Sequence, residues 1–223
     1  LVYPQTPAFL LVGIRLVQKD VDYLLEQKRP VILIDSYAPT TIFDSVLTDN
    51  TDGAEQAVNY LIRAGHRHIG FVGGDDDEYP SIVERYDGYL HGLKRNRILD
   101  YYNAPCLYSN EEAYQATIDL LARAPEITAL CIRNDRTAMV VYRALNDLGL
   151  SVPNDISVIG FDDWEPAKDM IPALTTVHVD TERMGILAVE RMIHRFNHPE
   201  EPITKIVLGT YIVERASVRS LGI

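Results

Sequence analysis

The chain has 223 residues, 47% of them hydrophobic, and a formal net charge of -11 at neutral pH. This length and apolar content suffice for one large or two small globular domains with a buried core. The acidic balance argues against nucleic-acid binding by this chain alone, because neutralising phosphates requires clustered Lys and Arg side chains.

The opening stretch LVYPQTPAFL (1–10) has no charged leader ahead of an apolar segment. No run of 18 or more apolar residues follows anywhere in the chain. We therefore predict neither a signal peptide nor a membrane span, and a cytoplasmic location.

Short apolar segments recur along the chain and predict buried strands. Helical patterns occupy four of the intervals between or after them, an alternation typical of a parallel sheet with helices on both faces. The predicted fold class is α/β. The segments are VILID (31–35), HIGFVGG (68–74), ITALCIR (127–133), ISVIGFD (156–162) and KIVLG (205–209).

Three predicted helices have recognisable boundaries. The segments TDGAEQAVNYLIRAG (51–65) and RTAMVVYRALNDLG (136–149) each end at a glycine, which can adopt the positive φ that terminates a helix. The second follows Asn134 and Asp135, both favourable N-caps. A third helix with an apolar stripe is predicted from about Thr181 to Phe196.

Polar residues follow the predicted strands at the points where they end. Open parallel sheets bind ligands at the carboxyl ends of their strands, where several loops converge, so these residues define the expected site. They are Asp35, the run Gly73, Gly74, Asp75, Asp76 and Asp77, then Arg133, Asn134 and Asp135, and finally Asp162, Asp163 and Trp164.

Residues with metal-ligating side chains do not form a recognisable metal motif. Cys106 and Cys131 lie in apolar segments, which favours buried free thiols over a disulfide or metal pair. His66 and His68 alternate at a strand entrance and so point to opposite faces. The acidic run DDDE (75–78) lacks calcium-loop spacing. We predict no metal and no cofactor.

The chain also lacks the motifs of common enzymes: it has no phosphate-binding glycine loop and no nucleophile elbow. The remaining candidate ligand-binding groups are the carboxylates of Asp35 and Asp162, the amide of Asn134, the guanidinium of Arg85 and the ring of Trp164. This set suits a polyol, whose hydroxyls take the polar groups and whose apolar face stacks on indole. Each residue also has a structural alternative, namely capping, ion pairing or packing. The carboxylates around Arg85 favour a neutral sugar over a phosphorylated one.

Five segments in order resemble successive signatures of the LacI/GalR family of bacterial transcription repressors, covering most of residues 30–218. They are DNTDGAEQAVNYLIRAGHRHIGFVGG, SIVERYDGYLHGL, IRNDRTAMVVYRALNDLGLSVPNDISVIGFDD, PALTTVHVDTERMGILAVERMI and VERASV.

The resemblance implies a fold like that of type I periplasmic sugar-binding proteins, in which two doubly wound α/β subdomains joined by three crossover strands close on an effector. The expected N-terminal subdomain comprises residues 1–74 and 177–200, and the C-terminal subdomain residues 75–176 and 201–223. The start is shorter than the family pattern, so we expect residues to be missing near positions 7–10.

The resemblance also implies roles for individual residues. Arg85 and Asp162 match the family's effector-binding arginine and aspartate, Asn134 and Asp135 match its strand-end N-D pair, and Asp35 falls near a position that lines the cleft in some members. Trp164 lies outside the shared pattern, so its stacking role rests on its chemistry alone.

The sequence therefore predicts a non-enzymatic effector-binding and dimerisation core of a LacI-type repressor. Its expected partners are a small-molecule effector, a second copy of the chain, and operator DNA reached through a headpiece that these residues do not include. The alternative is a periplasmic sugar-binding protein of a transport system, and an enzyme ranks third. Purines and a corepressor logic stay open within the family.

Overall fold

A computed structural model describes residues 7–73, 79–106 and 109–222. The described residues divide into two compact units. The first comprises 7–49, 79–80 and 180–209, and the second 50–73, 81–106, 109–179 and 210–222.

The first unit is built on a four-stranded parallel sheet in the order β1-β2-β3-β9. Helix α1 contributes Val21 and Leu24 to a core that also contains Leu33 of β2, and α6 packs against β2 and β3. The elements are β1 (Phe9–Val12), α1 (Gln18–Glu26), β2 (Val31–Ile34), β3 (Asp44–Thr48), α6 (Thr181–Asn197) and β9 (Lys205–Leu208).

The second unit is built on a six-stranded sheet in the order β10-β8-β7-β6-β4-β5. All its neighbouring strands are parallel except the edge pair β10 and β8. The strands are β4 (Ile69–Val72), β5 (Tyr102–Ala104), β6 (Ala129–Ile132), β7 (Ser157–Asp162), β8 (Thr175–His178) and β10 (Tyr211–Val213). The helices are α2 (Asn50–Arg63), α3 (Pro80–Arg95), α4 (Asn110–Arg123), α5 (Asp135–Asp147) and a short 3-10 helix, Glu165–Asp169.

Both faces of this sheet are buried, as β6 illustrates. Ala129 and Cys131 join the core under α2 and α3, whereas Leu130 and Ile132 join the core under α4 and α5. Successive side chains of a strand point to opposite faces, so a central strand covered on both sides must be apolar throughout. This is why the run ALCI has no polar alternation.

The strand order places a topological switch point between β4 and β6. The chain leaves β4 through α3 to reach β5 on one side, whereas it leaves β6 through α5 to reach β7 on the other. Their connecting loops therefore diverge and open a crevice at the carboxyl ends of these strands. The topology puts the candidate site at this edge.

The predicted α/β class, the five strands and the three helices are confirmed, with ends shifted by a few residues. The terminating glycines Gly65 and Gly149 have φ angles of 98° and 72°. Cys106 and Cys131 are free and buried as predicted, and burial raises the pKa of the Cys131 thiol. The acidic run 75–78 lies outside the described residues.

The observed units differ from the expected subdomain boundaries. Residues 50–73 belong to the second unit, whereas the sequence pattern assigned them to the first. The reason is that β4 pairs with β5 and β6, and α2 packs on that same sheet. Within the described ranges, the main chain passes from one unit to the other after Asp49, Pro80, Val179 and Gly209. In the described part of the chain, no helix is long and apolar enough to cross a bilayer.

Candidate functional site

The centre of the candidate site is Arg85, a residue of α3 with only 5% of its surface exposed. Its Nε donates to Asn50 Oδ1 at 2.9 Å, and its Nη1 donates to the carbonyl oxygen of Arg133 at 2.6 Å. Its Nη2 lies 3.0 Å from Asp162 Oδ1. The guanidinium carbon sits 3.8 Å from the ring centroid of Phe161. Arg85 thus joins α2 to the ends of β6 and β7.

Asp162 and Asp163 turn the chain sharply where β7 ends. Their φ angles are 108° and 56°, values that residues with side chains seldom adopt. The Asp162 side chain keeps 39% of its surface exposed, whereas that of Asp163 is 16% exposed and bonds to His178 and Arg215. Backbone strain of this kind is concentrated at functional sites. The turn leaves an anchored carboxylate facing solvent.

Asn134 and Asp135 begin α5 directly after β6, but they differ in accessibility. Asn134 is half-buried, and its Oδ1 caps the helix by accepting from Thr137 N at 2.8 Å. Its amide nitrogen has no partner among the residues that the structure describes. Asp135 is 1% exposed; its Oδ1 accepts from the Thr176 hydroxyl at 2.6 Å and its Oδ2 from Trp164 N at 2.8 Å.

Burial gives Asp135 an unusual acidity. Loss of solvation raises its pKa to about 7, opposed by its two hydrogen bonds and assisted by the charges of Asp162 and Asp163. Space for this carboxylate depends on Gly160, where any added Cβ would collide with Asp135 Oδ1. Asp135 therefore holds the loop at Trp164 in place, and each of its carboxylate oxygens already accepts a hydrogen bond from the protein.

Trp164 follows the strained turn and begins the short 3-10 helix. The residue is 42% exposed, and the guanidinium carbon of Arg136 lies 5.5 Å from the centroid of its ring. An exposed indole that is fixed through its own backbone bond to Asp135 can stack on the apolar face of a ligand.

Asp35 lies at the corresponding end of β2 in the first unit. Its φ of 44° is again in the left-handed region, and its amide donates to the carbonyl oxygen of Val46. Its Oδ1 is buried and accepts no hydrogen bond from the residues in the described ranges. A buried acceptor without a donor is costly, so a ligand hydroxyl placed there would be favoured.

Sequence reasoning missed three supporting residues: Asn50, which holds Arg85, and His178 and Arg215, which hold Asp163. Each lies far along the chain from its partner, so no local pattern reveals the contact. The only signal for the three residues is their place in three of the quoted signatures, those that begin DNTDG, PALTTV and VERASV.

His66 and His68 have partners typical of structural residues. His66 is fully buried, and its ring nitrogens lie 2.9 Å from Thr128 Oγ1 and 3.2 Å from the carbonyl oxygen of Arg219. Burial lowers its pKa. His68 Nδ1 lies 3.1 Å from the Tyr102 hydroxyl. Within the described ranges, no group of three His, Cys, Asp or Glu side chains is arranged to hold a metal.

Comparison with known sequences relates the chain to transcription repressors. Residues 58–218 match the family model of the periplasmic binding protein-like domain. The chain is 31% identical over 211 residues to the probable HTH-type transcriptional repressor ExuR of Bacillus subtilis, covering 92% of this chain and 63% of that protein. It is 34% identical over 191 residues to the ribose operon repressor of Escherichia coli, covering 84% and 57%. The chain thus spans about three fifths of the length of these relatives.

Comparison with solved structures gives the same relationship. A transcription regulator from Lactobacillus plantarum superimposes with a TM-score of 0.88 at 25% identity, covering 97% of this chain and 82% of that one. A LacI-family regulator from Enterococcus faecium with bound ribose gives 0.83 at 25% identity, with coverages of 93% and 80%. The regulator CelR in complex with cellobiose gives 0.84 at 26% identity, with coverages of 96% and 66%.

Proposed function

The chain belongs to the LacI family of transcription regulators as its effector-binding core, and from this premise we propose that it binds a neutral sugar at the carboxyl ends of β6 and β7. The family consists of regulators and not of enzymes, so the site serves binding alone. The observation that carries the proposal is the Asp162 carboxylate, which Arg85 anchors at 3.0 Å while 39% of its side chain stays exposed.

The side chains around this carboxylate supply complementary groups for a sugar. Asp162 accepts hydrogen bonds from hydroxyls, and the Asn134 amide nitrogen donates to them. The Trp164 ring covers an apolar face. Asp135 acts indirectly, because it holds the backbone of Trp164 and has no free oxygen.

The charge arrangement favours a neutral ligand. All three guanidinium nitrogens of Arg85 already have partners within the protein. An anion near Asp162 would face its carboxylate, and no unpartnered nitrogen of Arg85 would offset this repulsion. Two of the similar structures contain ribose and cellobiose, both neutral sugars.

For the complete regulator, the proposal also includes a role for Asp35, a dimer, a DNA-binding headpiece and a cellular location. The buried Oδ1 of Asp35 would accept a hydrogen bond from a ligand in the first subdomain. A second copy of the chain would form a dimer, and a DNA-binding headpiece would bring operator affinity under effector control. Such a protein works in the cytoplasm. A periplasmic sugar-binding protein of a transport system is the less favoured alternative, because the curated relatives are repressors.

A thermal-shift screen tests the ligand class. The purified chain is heated with D-ribose, cellobiose, ribose 5-phosphate and free nucleobases. A ligand at about 100 times its dissociation constant stabilises the folded state by about 2.7 kcal/mol, which raises the melting temperature measurably. We expect a neutral sugar to raise the melting temperature in this way. A higher melting temperature with ribose 5-phosphate or a nucleobase alone would contradict the proposed class.

A further inference from the structure

The strained turn after β7 is fastened on one side by the carboxylate of Asp163. Its Oδ2 lies 2.8 Å from His178 Nδ1, and its Oδ1 lies 2.5 Å from Arg215 Nη2. The side chains of Asp163 and Arg215 are only 16% and 18% exposed. Asp163 is therefore largely buried and already paired within the protein, whereas Asp162 is the exposed carboxylate of the turn.

The two partners of Asp163 are themselves fixed to β8 or belong to it. Arg215 Nη1 donates to the carbonyl oxygen of Leu174 at 2.8 Å, and Arg215 N donates to Thr175 Oγ1 at 2.9 Å. His178 is the last residue of β8 and the parallel register partner of Asp162. Its ring also stacks on Tyr211 with centroids 4.6 Å apart. Asp163 thus ties the turn to the strand beside it.

The turn needs such a fastening because two consecutive residues with side chains have positive φ. Without external bonds, both residues would return to the common regions of backbone space, and the Asp162 side chain would be redirected. Trp164 N, which donates to Asp135, fixes only the far side of the turn.

We propose that Asp163 is a positioning residue for effector binding, holding the left-handed turn through Arg215 and His178 so that the Asp162 carboxylate stands beside Arg85. This inference rests on the proposed function, in which Asp162 contacts the effector. Asp163 itself touches no ligand and determines affinity through geometry.

The test separates positioning from simple stability by comparing three substitutions. Asp163→Ala removes the bonds and keeps the backbone strain, so it lowers both the melting temperature and sugar affinity. Asp163→Gly removes the bonds and the strain at this residue, since glycine adopts positive φ freely, but it leaves Asp162 strained and makes the turn more flexible, so the turn is no longer held in place. Asp163→Asn keeps the shape and one acceptor, and asparagine tolerates left-handed backbone.

Calorimetric titration with D-ribose and with cellobiose supplies the affinity readout. We expect Asp163→Gly to melt closer to the wild type than Asp163→Ala does, yet to bind at least tenfold more weakly than the wild type, whereas Asp163→Asn stays within a fewfold. Leu120→Ala, in the α4 core, is the control for lost stability without a change at the site. Recovery of wild-type affinity in Asp163→Gly would overturn the proposal.

A crystal structure of the unliganded Asp163→Gly variant decides the question without any sugar. We expect the contact between Arg85 Nη2 and Asp162 Oδ1 to be lost or lengthened beyond 3.0 Å. An unchanged contact would refute the positioning role. Failure of both sugars to bind the wild type would instead count against the proposed function. The distance between Arg85 Nη2 and Asp162 Oδ1 in the variant would still test the positioning role of Asp163.

Discussion

The guanidinium carbon of Arg85 lies over the ring of Phe161, 3.8 Å from its centroid, while Nη2 of the same group lies 3.0 Å from Asp162 Oδ1. A planar, delocalised cation can stack and make directed bonds at once, which an ammonium group cannot do. The exposed carboxylate of Asp162 is thus paired with the buried cation of Arg85, which itself packs against an aromatic ring.

Removing the guanidinium should cost both stability and affinity. Arg85→Met removes the hydrogen bonds to Asn50 Oδ1 and to the carbonyl oxygen of Arg133 together with the ion pair to Asp162, and we expect the free energy of unfolding to fall by about 2–4 kcal/mol. Arg85→Lys should recover only part of this, because one ammonium cannot reach three separate acceptors. Urea unfolding of the three proteins measures the effect. Equal stability of the wild type and Arg85→Lys would show that the fork geometry is unimportant.

Replacing Asp135 should change how stability depends on pH. Burial raises the pKa of this carboxyl from its ordinary value of 3.8 to about 7, so the folded state holds the proton more tightly than the unfolded state does. The resulting stabilisation is fully present below about pH 4 and is lost as pH rises towards 7. A folded pKa that lies one pH unit above the unfolded pKa corresponds to about 1.4 kcal/mol of stability.

Asp135→Asn, a neutral residue of the same shape, should remove that dependence. The difference in unfolding free energy between variant and wild type should move in favour of the variant by up to about 4 kcal/mol between pH 4 and pH 7. Urea unfolding across this range measures it, and Asp119→Asn on the exposed surface of α4 is the control. A difference that stays constant with pH would refute the raised pKa.

Gly160 should tolerate no side chain. A Cβ there would collide with the Asp135 carboxylate and approach Leu174 Cδ2 to 2.8 Å, so Gly160→Ala should destabilise the fold by about 1–3 kcal/mol. Gly185→Ala is the matched control, since no atom lies within 4 Å of its added Cβ in α6. There, alanine should stabilise by about 0.5–1 kcal/mol. Thermal unfolding of both variants should give changes in melting temperature of opposite sign.

Trp164 should affect binding and not folding. Because 42% of the residue is exposed, Trp164→Ala should change the unfolding free energy by less than about 1 kcal/mol. Loss of an aromatic contact should weaken sugar binding roughly threefold to tenfold, and Trp164→Phe should retain most of the affinity. Titration with cellobiose checks this. Undiminished affinity in Trp164→Ala would assign the ring to packing alone.

The sequence predicted the apolar strands that are buried on both faces, because such a strand must be a continuous apolar run, as in ALCI of β6. It did not reveal β3 and β8, whose buried polar residues obscure the pattern. Asp44 in β3 is 1% exposed and paired with Arg195, and Thr176 in β8 is fully buried and bonded to Asp135. Such pairs form only in the folded state, so no local hydrophobicity reading can find them.

The sequence predicts those residues of the site that come directly after a strand. Asp162 and Asn134 were identified from this position, and Arg85 from its chemistry and its place in a signature. Asn50 was not identified, because its bond to Arg85 spans 35 residues of sequence. The burial of Asp135 was also not foreseen, since an N-terminal helix residue is usually exposed; the absence of a side chain at Gly160 makes room for it.

Calorimetric titration of D-ribose and cellobiose into the wild type and Asp162→Asn tests the central claim most directly. Asparagine keeps the shape of the side chain but removes the charge that pairs with Arg85 and accepts from sugar hydroxyls. We predict that at least one of these neutral sugars binds the wild type and binds Asp162→Asn at least tenfold more weakly, with ribose 5-phosphate inert towards both. Equal affinity of the two proteins for a bound sugar, or binding of ribose 5-phosphate alone, would contradict a neutral-sugar site centred on Asp162.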